Sequence, residues 1–113
     1  SRFIVKIRME VPMKQPEASL AIQVLPKTTD EDEVIRIVDT VIAYIKSTGL
    51  TMFVGPFETT VEGGFGELME IAKECQLICI SEGAEAVSTY MKMAYNPTEG
   101  VWSIEKKTAK HHG

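Results

Sequence analysis

Apolar and polar residues alternate along two segments in the first quarter of the chain. The first segment, residues 3–11, has an apolar residue at every second position, which is typical of a β-strand. Two prolines follow it closely, so we interpret residues 1–16 as an N-terminal extension, either an extra edge strand or non-native sequence. The second segment, SLAIQVLP at 19–26, predicts the first strand of the domain, and Pro26 ends it.

Two longer segments have apolar residues at three- and four-residue spacing, which predicts amphipathic helices. The first helix follows TTDEDE at 28–33, whose side-chain oxygens and negative charges suit a helix N-terminus, and Gly49 ends it. The second helix is predicted from Phe65 to about Ser81. The predicted buried stripes are Val34, Ile37, Val38, Val41, Ile42 and Ile45 in the first helix and Leu68, Ile71, Ala72, Cys75, Ile78 and Cys79 in the second.

Further extended segments complete the pattern. LTMFV at 50–54 and FETTVE at 57–62 flank a Gly-Pro turn, and VSTYMKM at 87–93 alternates again. Residues 101–107 are predicted to pair back as an extra C-terminal strand. The order β-α-β-β-α-β predicts a ferredoxin-like α+β fold, in which two helices cover one face of an antiparallel sheet and leave the other bare. A bare sheet face favours self-association.

Length and charge narrow the class of protein. A chain of 113 residues suits one domain, which we place at 17–108, followed by a tail at 109–113. The formal charge of −4, from 16 acidic and 12 basic residues, has the wrong sign for a protein that binds nucleic acid. No apolar run is long enough to span a membrane and no secretory signal is visible, so we expect a soluble, cytoplasmic protein with no membrane partner.

The glycine cluster in TTVEGGFGE at 59–67 has two possible roles, a phosphate cradle or a hinge. Its glycines, at 63, 64 and 66, fit neither common nucleotide-binding spacing. Glu62 and Glu67 flank the cluster with charge that repels phosphate. The glycines are therefore interpreted as a tight turn from the third strand into the second helix.

The residues just before this turn face away from the predicted helices. If Val61 packs inward, the alternation of a strand places Thr60 and Glu62 on the uncovered face. The first and third strands are expected to pair, which would bring Gln23, Thr60 and Glu62 within a few ångströms of one another. The same rule places Ser88 and Tyr90 on this face. From the residues alone, the face is either a ligand site or a polar surface that is solvated or buried in an oligomer.

Catalysis and metal binding have little support in the sequence. There is no Ser/His/Asp set, and an acylphosphatase-type enzyme would need an arginine beside a phosphate loop. Cys75 and Cys79 lie four residues apart on a predicted helix and are interpreted as small buried residues in a reducing compartment. The only histidines, His111 and His112, are at the C-terminus. We expect no catalytic residue, no metal and no cofactor.

Three segments together resemble a known family. They are SLAIQVLP at 19–26, VGPFETTVEGGFGELMEIAKEC at 54–75 and VSTYMKM at 87–93. From about residue 19 to residue 107 the chain resembles the small YkoF-like thiamine-binding proteins. The resemblance implies a ferredoxin-like domain that assembles into dimers or dimers of dimers and binds thiamine or its hydroxymethylpyrimidine part.

The resemblance and the facing of the strands together suggest ligand contacts. Hydroxyl and amide side chains can bind the edge of an aminopyrimidine, and Glu62 can accept from its amine or offset the positive thiazolium. Phe65 or Tyr90 can stack on a ring. The candidate ligand-binding residues are Ser19, Gln23, Thr60, Glu62, Phe65, Ser88 and Tyr90. The alternative is a ligand-sensing or oligomerising module of the same fold with a different specificity.

Overall fold

The computed structural model describes residues 15–105, so the strand expected at 3–11 and the C-terminal tail lie outside the described residues. The strands are β1 (Ala18–Lys27), β2 (Met52–Val54), β3 (Thr59–Gly63) and β4 (Ala86–Tyr95), and the helices are α1 (Glu31–Ser47) and α2 (Phe65–Ser81). All strand pairs are antiparallel, in the order β2-β3-β1-β4. The predicted α+β fold with its β-α-β-β-α-β order is confirmed.

Strand β1 lies in the centre of the sheet and supplies much of the core. Its alternation places Leu20, Ile22 and Val24 under the helices, with exposed fractions of 0%, 4% and 8%. The strand pairs with β4 along all ten of its residues but with β3 only over Ala18–Ile22. The two edges of the central strand are therefore unequally paired.

Helix α1 begins and ends where local chemistry favours it. The carboxylate of Asp30 accepts a hydrogen bond from the backbone N–H of Glu33 at 2.9 Å, which caps the helix. Beyond its end, Gly49 has a φ of 77°, a conformation that glycine adopts without strain. Only part of the predicted stripe is fully buried. Ile37, Val41 and Ile45 are buried, whereas Val34, Val38 and Ile42 are half-buried.

Helix α2 starts directly after Gly63 and Gly64, which confirms that these two glycines lie at the strand-to-helix turn, whereas Gly66 is the second residue of the helix. Strand β3 ends at Gly63 and the helix begins at Phe65. Two carboxylates serve the free N–H groups at this helix start. The carboxylate of Glu67 accepts from the backbone N–H of Gly64 at 3.3 Å, and the carboxylate of Glu17 accepts from the backbone N–H of Phe65 at 2.7 Å. The cluster therefore already has anionic partners from within the chain.

The two cysteines lie in the core, on the inner face of α2. Cys75 and Cys79 are free thiols with no exposed surface, as predicted. Burial, with smaller effects from Cys79 and Glu74, raises the pKa of the Cys75 thiol to about 12. The thiol is therefore neutral and unreactive at physiological pH. Within residues 15–105, no helix is long and apolar enough to cross a bilayer.

The extra strand predicted at 101–107 is wrong for the part that the structure describes. Residues 101–105 are not a strand, and their backbone donors bind elsewhere. The N–H of Val101 donates to the carbonyl of Pro16 at 2.7 Å, and that of Ile104 donates to a carboxylate oxygen of Glu62 at 2.8 Å. The alternating pattern suited a strand, but these donors bind a loop carbonyl and a side chain instead of a neighbouring strand.

The first prediction concerns the central strand. Leu20→Ala is expected to lower the free energy of unfolding by about 2–5 kcal/mol, because it leaves a cavity at a fully buried position. Leu25→Ala is the matched control on the same strand, where the side chain is 43% exposed, and is expected to cost less than about 1 kcal/mol. Urea denaturation of both variants measures the difference. Equal losses would contradict the one-sided burial of β1.

Candidate functional site

The face of the sheet opposite the helices, here called the open face, carries mostly polar side chains on its three longest strands. Its composition follows from the strand register, because every second residue of a strand points to the same side. Ala21 lies between Thr60 and Lys92, Gln23 lies beside Tyr90, and Leu25 lies beside Ser88. At one end of the face, Ser19 lies between Glu62 and Ala94.

The register brings six of the seven candidate residues to the open face: Ser19, Gln23, Thr60, Glu62, Ser88 and Tyr90. Phe65 is not among them. Its ring centroid lies 4.6 Å from that of Tyr95 at the start of α2. Tyr95 is opposite the core residue Ala18, so this aromatic pair is on the helix side of the sheet.

The candidates on the open face are spread along the strands. Glu62 is opposite Ser19, and Gln23 is four residues further along β1. At the rise of about 3.3 Å per strand residue, this separation is about 13 Å. The expectation that Gln23, Thr60 and Glu62 all lie within a few ångströms is therefore wrong. Alternation identifies the face of a strand, but the distance along the face depends on the register.

An ion pair crosses the middle of the open face. The ammonium nitrogen of Lys92 lies 3.5 Å from a carboxylate oxygen of Glu58. Lys92 is directly opposite Ala21, whose methyl side chain leaves room for the two longer side chains. Sequence reasoning did not select Glu58, although it has the same parity along the chain as Thr60 and Glu62. Both charged side chains are well exposed, at 79% and 40%, so the pair contributes at most about 1 kcal/mol to stability.

Two cavities adjoin on either side of this ion pair. One, of about 370 Å³, is bordered by the polar residues Ser19 and Thr60, and the other, of about 380 Å³, by Gln23 and the aromatic residues Phe57 and Tyr90. Ala21, Glu58 and Lys92 border both cavities. We treat them as one shallow groove, the open-face groove. It offers hydroxyl groups at one end, exposed aromatic rings at the other and opposite charges between them.

The segment 101–105 adjoins the polar end of the groove. One carboxylate oxygen of Glu62 accepts the backbone N–H of Ile104 at 2.8 Å, so this carboxylate already has a main-chain partner. Ser19, next to Glu62 across the sheet, is only 6% exposed although it lies on the open face. Ser19 at this end of the groove is therefore less accessible to solvent than Tyr90 at the aromatic end, which is 65% exposed.

The chemistry of the groove suits recognition of a small polar molecule. Its hydroxyl, amide and carboxylate groups can donate and accept hydrogen bonds, and its rings can stack on a planar ligand. Among residues 15–105, no three His, Cys, Asp or Glu side chains form a cluster that could hold a metal ion.

The second prediction concerns the anchor between Glu62 and residues 101–105. Glu62→Ala removes the acceptor of the Ile104 N–H and is expected to increase the acrylamide quenching of Trp102, which is the only tryptophan of the chain and 44% exposed. Glu58→Ala, on the same strand face, is the control and should leave quenching unchanged because Glu58 bonds Lys92 instead. Unchanged quenching in Glu62→Ala would mean that this hydrogen bond does not hold the segment.

Solved structures with similar folds agree with the architecture described above. A domain of unknown function from Bacillus cereus, of the DUF77 class, superposes with a TM-score of 0.76 at 34% identity, over 83% of this chain and 88% of that one. A Thermotoga maritima protein, provisionally named for thiamine biosynthesis or salvage, superposes with a TM-score of 0.73 at 30% identity, over 85% of this chain and 99% of that one.

Sequence comparisons agree with the structural ones. The UPF0045 protein of Clostridium perfringens is 41% identical over 93 residues, which are 82% of this chain and 95% of that protein. A family model described as "Thiamine-binding protein" matches residues 20–112. The match covers both the groove and the core beneath it. The chain belongs to the thiamine-binding protein family.

Proposed function

We propose that this protein binds thiamine or its hydroxymethylpyrimidine part without catalysing a reaction, and that the ligand lies in the open-face groove. The observation that carries the proposal is the arrangement in that groove, where the carboxylate of Glu58 lies between hydroxyl groups and exposed aromatic rings. Family membership supports the ligand class. Thiamine combines a hydrogen-bonding aminopyrimidine with a cationic thiazolium. It therefore suits a site that offers hydroxyl groups, a carboxylate and aromatic rings together.

The two ends of the groove match the two ends of this ligand. Thr60 and Ser19 line the polar end and can bind the ring nitrogens and amine of the pyrimidine. Glu62 lies opposite Ser19, and its second carboxylate oxygen can accept from the amine. Tyr90 or Phe57 can stack on the thiazolium, and Glu58 can offset its charge. Lys92 must then move away from Glu58, which its 79% exposed side chain allows.

The third prediction tests this charge arrangement by calorimetric titration. Glu58→Gln is expected to weaken thiamine binding about three- to tenfold, and Lys92→Gln to strengthen it by a similar factor, because it frees the carboxylate. Neutral hydroxymethylpyrimidine is the matched control ligand, and its affinity should change less than about twofold in both variants.

The outcomes of this titration separate the function from its location. No heat with either ligand at millimolar concentration would contradict the proposed function. Equal losses for the two ligands in Glu58→Gln would leave the function intact and assign Glu58 to the pyrimidine. Glu62→Gln discriminates in the same way, since a larger loss for thiamine would place the thiazolium beside Glu62. A module of different specificity would be stabilised by another metabolite in a thermal-shift panel and not by thiamine.

We also propose that the protein works as a homo-oligomer. Strand β4 is an edge strand of ten residues that pairs with β1 along its whole length, and among residues 15–105 its outer edge pairs with no other strand. Exposed aromatic side chains lie close by, with Tyr90 65% and Phe57 78% exposed. Long free edges and exposed apolar surface favour association with a second copy.

The fourth prediction tests association through this edge. The backbone carbonyl of Lys27 accepts from the N–H of Glu85, and the backbone carbonyl of Glu17 accepts from the N–H of Asn96. The backbone groups of the odd-numbered residues of β1 therefore point toward β4. Their partners on β4 are even-numbered, which leaves the N–H of Met91 on the outer edge. Met91→Pro removes this donor and is expected to lower the assembly state, whereas Met91→Ala keeps it. Native mass spectrometry reports the mass of the assembly that each variant forms, together with any co-purified ligand. A monomeric wild-type protein would contradict the proposal.

A further inference from the structure

Within residues 15–105, the edge of β1 that faces β3 has no strand partner beyond Ile22. Strand β3 begins at Thr59, opposite Ile22, and the chain before it forms the turn that leads back to β2. The last five residues of β1 therefore have a strand neighbour on the β4 side only. Pro26, which has no N–H, lies in this part of the strand, where a missing donor breaks no pairing with β3.

The direction of the backbone groups on this free edge follows from the pairing pattern. The N–H of Glu62 donates to the backbone carbonyl of Thr51, beside β2, at 3.0 Å. Because successive residues of a strand direct their backbone groups to opposite sides, the N–H and C=O of Val61 point toward β1. Its partner Leu20 therefore directs both groups toward β3. Backbone direction repeats every second residue, so the N–H and C=O of Val24 point the same way, past the end of β3.

These two groups of Val24 have no partner in the described chain. Within residues 15–105, no hydrogen bond reaches either its N–H or its C=O, although the residue is only 8% exposed. Buried main-chain groups nearly always have a hydrogen-bond partner, so a ligand that pairs with both groups of Val24 would be favoured here. The position that a further residue of β3 would occupy therefore offers one donor and one acceptor side by side.

A cleft of about 210 Å³ lies at this position, between β1 and α1. Its apolar wall includes the half-buried part of the α1 stripe, Val34, Val38 and Ile42, which explains why these residues are not fully covered. Thr59, which is 7% exposed, also lines the cleft. An apolar cavity of about 150 Å³ can hold benzene, so this cleft has room for one substituted ring.

We propose that this cleft is a second binding site, for a neutral planar ring that carries a hydrogen-bond acceptor next to a donor. Cyclic amides have this edge. The ring takes the place of the missing β3 residue, accepting from the Val24 N–H and donating to the Val24 C=O, while its face packs on the valine and isoleucine side chains of α1. The α1 side of the cleft is apolar, so a charge on a ring packed against it would lose its hydration without gaining a partner from that helix.

This site is separate from the open-face groove and does not rest on the thiamine proposal. Val24 and Thr59 have the core-facing parity of their strands, whereas Ala21 and Thr60 face the groove. Gln23 and the turn residues Phe57 and Glu58 border both cavities and form the wall between them.

The test uses 2-pyridone, whose carbonyl and N–H are adjacent, and N-methyl-2-pyridone, which lacks the donor. In ¹⁵N-resolved NMR titrations of the full chain, 2-pyridone is expected to shift the Val24 amide saturably. The N-methyl compound is expected to bind about five- to tenfold more weakly, the effect of losing one hydrogen bond. Equal affinities would overturn the proposal, because the cleft would then be an apolar cavity without edge recognition. The absence of a Val24 shift at millimolar 2-pyridone would also overturn it.

Two matched variants locate the binding. Val38→Phe fills the cleft and is expected to abolish the Val24 shift, whereas Ile35→Phe adds the same ring at a 59% exposed position of the same helix and should leave it intact. Dispersed amide spectra of both variants establish that they fold.

Thiamine titration of the same variants keeps the two proposals apart. Unchanged thiamine heat in Val38→Phe, together with loss of the 2-pyridone shift, would support two separate sites. Loss of both would overturn the second site, because cleft and groove would then act as one. If thiamine fails to bind the wild-type protein but 2-pyridone shifts Val24, the proposed function fails and the cleft site stands.

Discussion

The unequal pairing of β1 is the constraint on which the rest of the structure depends. This strand binds β4 along ten residues and β3 along five, because the chain between β2 and β3 turns before it reaches the end of β1. Its inner residues supply the core beneath both helices, and its outer residues form the floor of the open-face groove. Both cavities with proposed roles border the same short turn for this reason.

The small residue at the centre of the open face has a clear physical role. Ala21 separates the strands that carry Glu58 and Lys92, and a larger side chain there would stand between the two charges. The resulting ion pair is exposed and weak, so a cationic ligand can replace the ammonium group with little loss of stability. A weak pair of this kind keeps the Glu58 carboxylate positioned while leaving it available to a ligand.

The carboxylate of Glu62 lies on the open face and also binds the chain after β4. Glu62 lies on the open face, as a ligand-binding residue would, and also accepts the backbone N–H of Ile104. One of its oxygens therefore holds the segment 101–105 against the sheet. Any ligand at this end of the groove meets a carboxylate whose orientation is already set by that segment, which favours a defined geometry over a flexible one.

The sequence by itself determined the elements, their order and which face each strand residue occupies, because periodicity of two and of about 3.6 residues follows from local backbone geometry. It therefore placed Thr60 and Glu62 on the open face and identified the glycines before α2 as a turn. Register, the path of a connecting turn and the partners of an irregular segment depend on contacts between distant residues. Only the tertiary structure could separate Gln23 from Glu62, place Phe65 on the helix side and join Glu58 to Lys92. It also left Val24, among the described residues, without a neighbour on the β3 side of β1.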